Sequence, residues 1–154
     1  MSAGRNALVA LCALSSSACY PVFHDVPTTP LVSGVVALHG RPVSSVIVRL
    51  YNEDPVLAER NDIVTARTDD SGSFTIGPIM KFSYFAGMGN PGTDWRLEFE
   101  FDGQRHIGWQ NRALALQSRS VDVTCELDDP VRTGRLGLRS SGEGACRIVS
   151  EKEQ

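Results

Sequence analysis

From Trp95 to Asp102 the chain alternates without a break. Trp95, Leu97, Phe99 and Phe101 are apolar, and Arg96, Glu98, Glu100 and Asp102 between them are charged. Successive side chains of a strand point to opposite faces, so this period marks a half-buried strand with one face in a core. The same period recurs elsewhere. Val46, Val48 and Leu50 face away from Arg49 and Tyr51; Phe74 and Ile76 alternate with Ser73 and Thr75; Val121, Val123 and Cys125 alternate with Asp122, Thr124 and Glu126. Turn chemistry separates these runs at His39-Gly-Arg-Pro42, Asp69-Asp-Ser-Gly72 and Asp102-Gly103. The predicted strands are 32–39, 45–51, 62–68, 73–77, 95–101, 104–109, 119–126 and 145–149, and no stretch sustains a 3.6-residue period. Short turn-linked strands with one apolar face each predict an all-β domain over 32–150. The natural solution is an antiparallel two-sheet sandwich of about seven to eight strands.

The chain begins differently. Arg5 is followed by the short apolar run Ala7–Leu14 and the small residues Ser15–Ala18, directly before Cys19. This is the layout of an export signal over residues 1–18. The apolar run falls short of the roughly 20 residues that span a bilayer. Ser16-Ser17-Ala18-Cys19 resembles the lipobox of bacterial lipoproteins, although that family usually carries Leu, Val or Ile where Ser16 stands. The resemblance implies that Cys19 is acylated with fatty acid such as palmitate and becomes the mature N-terminus. Tyr20 stands where an Asp commonly signals inner-membrane retention, so the resemblance implies an outer-membrane lipoprotein. Ordinary cleavage after Ala18 is the alternative and would release a soluble periplasmic or secreted protein. Of the four cysteines, Cys12 leaves with the signal and three remain. Acylation of Cys19 accounts for the odd one.

Residues 19–31 carry Pro21, Pro27 and Pro30 and no periodicity, so they read as an extended linker. In polyproline geometry, at about 3.1 Å per residue, they would hold the domain up to roughly 35 Å from the lipid. Pairing of part of this stretch as an edge strand is the alternative. The net charge of −3, with arginines spread along the chain, argues against nucleic acid as a partner.

Val32-Ser-Gly-Val-Val36, Gly40-Arg-Pro-Val43, Val46-Ile-Val-Arg-Leu50 and Thr68-Asp-Asp-Ser-Gly-Ser-Phe74 resemble the carboxypeptidase regulatory-like domain. Its pattern is V-x-G-x-V, a Gly-x-Pro turn, an alternating strand and T-D-x-x-G-x-F. The resemblance covers residues 32–76 and implies a transthyretin-like sandwich. The shared motifs are structural: a turn at Gly40 and Pro42, a positive φ at Gly72, and Phe74 in the core. They carry no catalytic residue, so function drawn from them is analogy of fold.

Few residues suggest chemistry. His24, His39 and His106 have no second ligand at metal spacing, and Ser71 has no nucleophile-elbow context. Asp69-Asp-Ser-Gly-Ser73 lacks the distal oxygen ligands of a calcium loop and reads as a tight turn. The hydroxyisourate hydrolases share the transthyretin-like fold, but their C-terminal Tyr-Arg-Gly-Ser signature is absent. No enzyme activity, cofactor or metal is expected. Cys125 shares a face with Val121 and Val123, and Cys146 one with Ile148. An oxidising compartment would join the two cysteines across the polar loop 126–145. Gly77–Asp94 is a long connection holding Met80, Phe82, Tyr84, Phe85 and Met88. Phe82, Tyr84 and Phe85 are candidate partner contacts. The alternatives are that they cap the sandwich, or that Phe82–Phe85 form a further strand.

Together these features predict a non-enzymatic cell-envelope lipoprotein, held to the membrane by its lipid and serving a structural or protein-binding role. A secretion-apparatus lipoprotein similar to the transthyretin-like subunit of type VI systems, and a carbohydrate-binding module, are the alternatives. Another envelope protein or a glycan would be the partner.

Overall fold

A computed structural model describes residues 24–53, 62–83, 94–113, 118–136 and 140–153. The expectations for Cys19, Tyr84 and Phe85 fall outside these residues. The described chain is all-β, with thirteen strands and no helix. In order they are β1 (His24–Pro27), β2 (Leu31–Leu38), β3 (Arg41–Pro42), β4 (Ile47–Asn52), β5 (Ile63–Arg67), β6 (Ser73–Ile76) and β7 (Met80–Ser83). There follow β8 (Trp95–Phe101), β9 (Gln104–Ala113), β10 (Ser118–Glu126), β11 (Arg132–Leu136), β12 (Ser140–Gly144) and β13 (Cys146–Glu153).

All eight strands read from alternation are present within a few residues of their expected ends. The total exceeds the expected seven to eight because β1, β3, β7, β11 and β12 are added; β7 alternates Met80 and Phe82 with Lys81 and Ser83 over only four residues inside the long connection. Two larger sheets and one ribbon result. One sheet runs β13-β10-β2-β3, with β6 also paired to β2; the other runs β11-β12-β9-β8-β4-β5; β1 and β7 form the ribbon. One pairing departs from the antiparallel expectation. β2 lies parallel to β10, with Leu31 beside Ser120 and Ala37 beside Glu126. A period of two is the same in both directions, so the pattern could not show this.

The two larger sheets share one core. Val32, Val36, Phe74, Ile76, Val121 and Val123 from the first meet Val46, Val48, Leu50, Trp95, Leu97 and Phe99 from the second. Phe74 and Phe99 touch edge to face, with ring centroids 5.7 Å apart. Between β8 and β9 the register slips by one residue at Gly108. A Cβ there would lie 2.3 Å from the Phe99 ring, so the bulge requires glycine.

Candidate functional site

Of the stretch expected as a spacer, residues 24–27 pair as a strand, the alternative reading. His24–Pro27 pair antiparallel with Met80–Ser83, with Asp25 opposite Phe82 and Pro27 opposite Met80. Just beyond the ribbon, Thr28 and Thr29 are buried among the core elements. The Thr28 N–H and hydroxyl both donate to the Ile79 carbonyl, at 2.8 and 3.0 Å. Ile79 N–H donates to Thr29 Oγ1 at 2.9 Å, and Asn52 Nδ2 donates to Thr28 Oγ1 at 3.2 Å. The Thr28 hydroxyl meets the Asn52 amide and the Ile79 carbonyl, and the Thr29 hydroxyl meets the Ile79 N–H, all out of water, where any unpaired member would carry its full desolvation cost. The ribbon beyond this knot is less sheltered. Met80 is 49% and Phe82 56% exposed. Lys81, on the opposite face of β7, pairs with Asp62 at 3.2 Å. Phe82 alone among the three aromatic candidates lies in the described residues.

At the other side of the domain, Cys125 and Cys146 are register partners on β10 and β13 and form a disulfide, with Cα atoms 4.0 Å apart. The residues expected as a polar loop between them form the hairpin β11–β12, which joins the second sheet through β9. Gly134 and Gly142 oppose each other there, and the Trp109 indole from β9 fills the space. A Cβ on Gly142 would sit 2.5 Å from Trp109 Cε2, and one on Gly134 would sit 2.9 Å from Cη2. An open cleft of about 950 Å³ lies between this hairpin and the edge of β13, bordered by Trp109, Thr133, Arg147, Ile148 and Val149. Trp109 is only 2% exposed, so the indole closes the cleft floor and offers no stacking surface.

The outer face of the second sheet carries a cluster of paired charges. Arg49 meets Glu100 at 2.6 Å, and Arg105 approaches the same carboxylate at 4.0 Å. Arg96 contacts Glu53 and Glu98, each at 3.1 Å, and lies over the Tyr51 ring. Gln110 donates to Glu53. Three arginines and three glutamates therefore neutralise one another through cross-strand neighbours. Arg49 holds Glu100 below the usual carboxylate range, and burial followed by the bond to Glu98 pushes Tyr51 up. Alternation placed Glu98 outward, yet it is only 9% exposed because Arg96 and Tyr51 cover it. Arg67 lies on the same face beside Glu100 and donates to the Ser45 carbonyl, so the paired charges are joined by a further arginine.

A smaller polar group lies where β2 turns into β3. His39 Nδ1 sits 2.7 Å from Asp128, and Gly40 N–H donates to Glu126 Oε2 at 3.1 Å. Burial, then Asp128, raises Glu126, while Glu126 in turn lowers Asp128. Nearby chemistry is local: Asp69 Oδ1 accepts from Ser71 N–H, Ser71 Oγ and Ser73 N–H. That carboxylate is occupied by its own turn, and the same bonds hold it below the usual range, Ser71 most of all. Among the described residues, no cluster of His, Cys, Asp or Glu has the arrangement of a metal site.

Sequence reasoning paired the cysteines correctly, held strand pairing in the linker and at Phe82–Phe85 only as alternatives, and missed the hairpin. The available signals were Thr28-Thr29 before Pro30, a polar pair suited to a buried knot, and the spaced glycines 134, 142 and 144, which leave room for a large neighbour. With the geometry of the ribbon, disulfide, cleft and charged face established, comparison with protein-family models, curated proteins and solved structures finds no match to this chain.

Proposed function

We propose that this chain is a non-enzymatic cell-envelope lipoprotein. In this reading a β-sandwich of the transthyretin and carboxypeptidase regulatory type is tethered to the outer membrane by acylated Cys19 and serves a structural or protein-binding role. The observation that supports it most is the Cys125–Cys146 disulfide. Such a bond persists in oxidising compartments, in keeping with the export signal. It also leaves Cys19 as the one unpaired cysteine after Ala18, next to the small residues that resemble a lipobox. The sandwich type is supported by the motif residues. Gly40 and Gly72 adopt φ of 72° and 73°, and Phe74 is 5% exposed in the core. The paired charges of the outer face fit a structural or binding domain better than a reaction centre.

Expression with labelled palmitate tests the anchor. The parent chain should incorporate label and fractionate with the outer membrane, and Cys19→Ser should do neither. A Cys19→Ser protein that stays membrane-bound overturns the proposal.

A further inference from the structure

We propose that the groove at the Ser45–Gly103 end of the second sheet binds a phosphate ester between Arg67 and Arg105. The inference is independent of Cys19 and its acylation. It begins with a register. Arg67 pairs with Ile47, Ile47 with Glu100, and Glu100 with Arg105, so β5, β4, β8 and β9 set these residues in one row across the outer face. At about 4.8 Å between strands, the two arginines stand roughly 14 Å apart at their Cα atoms. Both side chains lean inward along that row. Arg105 Nε comes within 4.0 Å of Glu100 Oε2, and Arg67 Nη1 donates to the Ser45 carbonyl, just ahead of β4, at 3.4 Å. A groove of about 370 Å³ opens here, bordered by Ser44, Ser45, Arg67, Glu100, Asp102 and Gly103. The segments that frame it, 44–52, 62–72 and 94–106, all belong to the described residues.

The charges leave a surplus at this end of the face. Farther along, Arg96 is engaged with Glu53 and Glu98. Arg49, Arg105 and Arg67 all act on Glu100. Of these, Arg49 holds the carboxylate at hydrogen-bond distance, 2.6 Å. The 4.0 Å approach of Arg105 is too long for a hydrogen bond, and its side chain is 70% exposed. Arg67 is exposed too, and the carbonyl it meets carries no charge to offset its own. With Asp102 at the rim counted, three guanidiniums face two carboxylates, and one positive charge is left over. A phosphate ester suits these donors better than a carboxylate does. Each guanidinium is a planar fork that matches phosphate oxygens. A phosphate presents three acceptor oxygens in different directions, so two forks can approach it from opposite sides while Ser44 and Ser45 border the remaining oxygen. A carboxylate has two oxygens in one plane, which a single fork uses up. Glu100 repels the anion from the groove floor, so binding takes place at the rim and is sensitive to salt.

The experiment uses the full exported chain in neutral maltoside micelles, with nitrogen-15 signals of the backbone and arginine side chains followed by NMR. Methyl phosphate is titrated at fixed ionic strength, and acetate is the carboxylate comparison. The expected result is a saturable shift at Arg67 and Arg105 Nε–H and at the Ser44 and Ser45 amides, which acetate at the same concentration does not produce. Arg67→Gln and Arg105→Gln should each weaken binding about fivefold. Arg119→Gln removes the same charge from exposed β10 surface in the other sheet and should leave binding unchanged. Equal weakening in all three variants overturns the inference, because methyl phosphate then answers only to net charge. Matching shifts with acetate, or no saturable shift, also overturn it. A second titration with monomeric dihexanoyl phosphatidic acid separates the sources of the phosphate. Tighter binding than methyl phosphate, still weakened by both arginine variants, assigns the groove to a lipid headgroup, and equal or weaker binding assigns it to a soluble phosphate ester. If Cys19 proves unacylated while methyl phosphate binds at Arg67 and Arg105, the anchor fails and this inference stands.

Discussion

The ribbon β1–β7 and the hairpin β11–β12 are both two-stranded additions to the larger sheets, and they are secured by opposite means. The ribbon is tied down by hydrogen bonds buried from water, centred on Thr28, Thr29, Asn52 and Ile79. The hairpin sets Gly134 opposite Gly142 and is packed there against an indole that β9 supplies. A polar knot is directional and fails when one member is removed. A packed ring is held by contact area and fails when volume is lost. A strand pair can thus be attached by means other than a long apolar stripe of its own.

Trp109→Ala should produce the largest effect, a loss of about 3–5 kcal/mol of unfolding free energy, read by urea denaturation. Hydrogen exchange should rise at β11 and β12 and leave β1 and β7 unchanged. A loss below about 1 kcal/mol would show that the hairpin holds without the ring. Next is the double replacement Cys125→Ala with Cys146→Ala. The cysteines are 21 residues apart, and their bond constrains the unfolded chain by about 3 kcal/mol. Calorimetry should show a lower melting temperature, and the hairpin between the two positions should exchange faster than the ribbon.

Thr28→Val follows, costing about 1–3 kcal/mol because Asn52 Nδ2 loses its buried acceptor. Here exchange should rise at Met80–Ser83 while the hairpin keeps its protection. Equal loosening of both would break the contrast between the two regions.

Asp122→Asn should have the smallest effect and serves as the reference, since this carboxylate touches neither region. It accepts hydrogen bonds from Ser150 on β13 and Ser33 on β2, which hold it below the usual carboxylate range. Its contribution is present above the unfolded pKa near 4 and is lost as pH falls through the lower folded value. Solvent screening keeps it below about 1 kcal/mol at neutral pH. The variant should therefore flatten the acid limb of a stability–pH curve and leave the neutral plateau nearly unchanged. Glu126 acts in the opposite sense. Its raised pKa gives stability below the unfolded value that is lost as pH rises.

Strands with one face in the shared core were legible because burial writes itself as alternation. Trp95–Phe101 and Val121–Cys125 are examples, and the facing cysteines followed from the faces they share. Attachment by other means leaves no such trace. Thr28-Thr29 looks like part of a polar linker until Ile79 and Asn52 surround it, and Gly134 and Gly142 look like loop residues until Trp109 covers them. Direction of pairing was equally silent, as β2 and β10 show. For the candidate site, the aromatics in the connection after Gly77 were legible as residues outside the regular alternation. The place of Phe82 on a strand beside the chain's N-terminal segment was not, because that pairing joins residues more than fifty positions apart.

The parallel pairing of β2 with β10 sets an order of events for a chain that emerges from its N-terminus. Ser33 and Asp122 are 89 residues apart, yet they face each other across this pair. β2 is among the first strands made, and β6 and β3 can reach one of its edges early. The other edge stays open until almost the whole domain has emerged, at about 5–20 residues per second during synthesis. An unpaired strand edge is a template for pairing with another chain. The half-built intermediate, rather than the finished fold, is therefore the species that needs a chaperone. Substitutions in β10 should show first in yield, through aggregation during biogenesis.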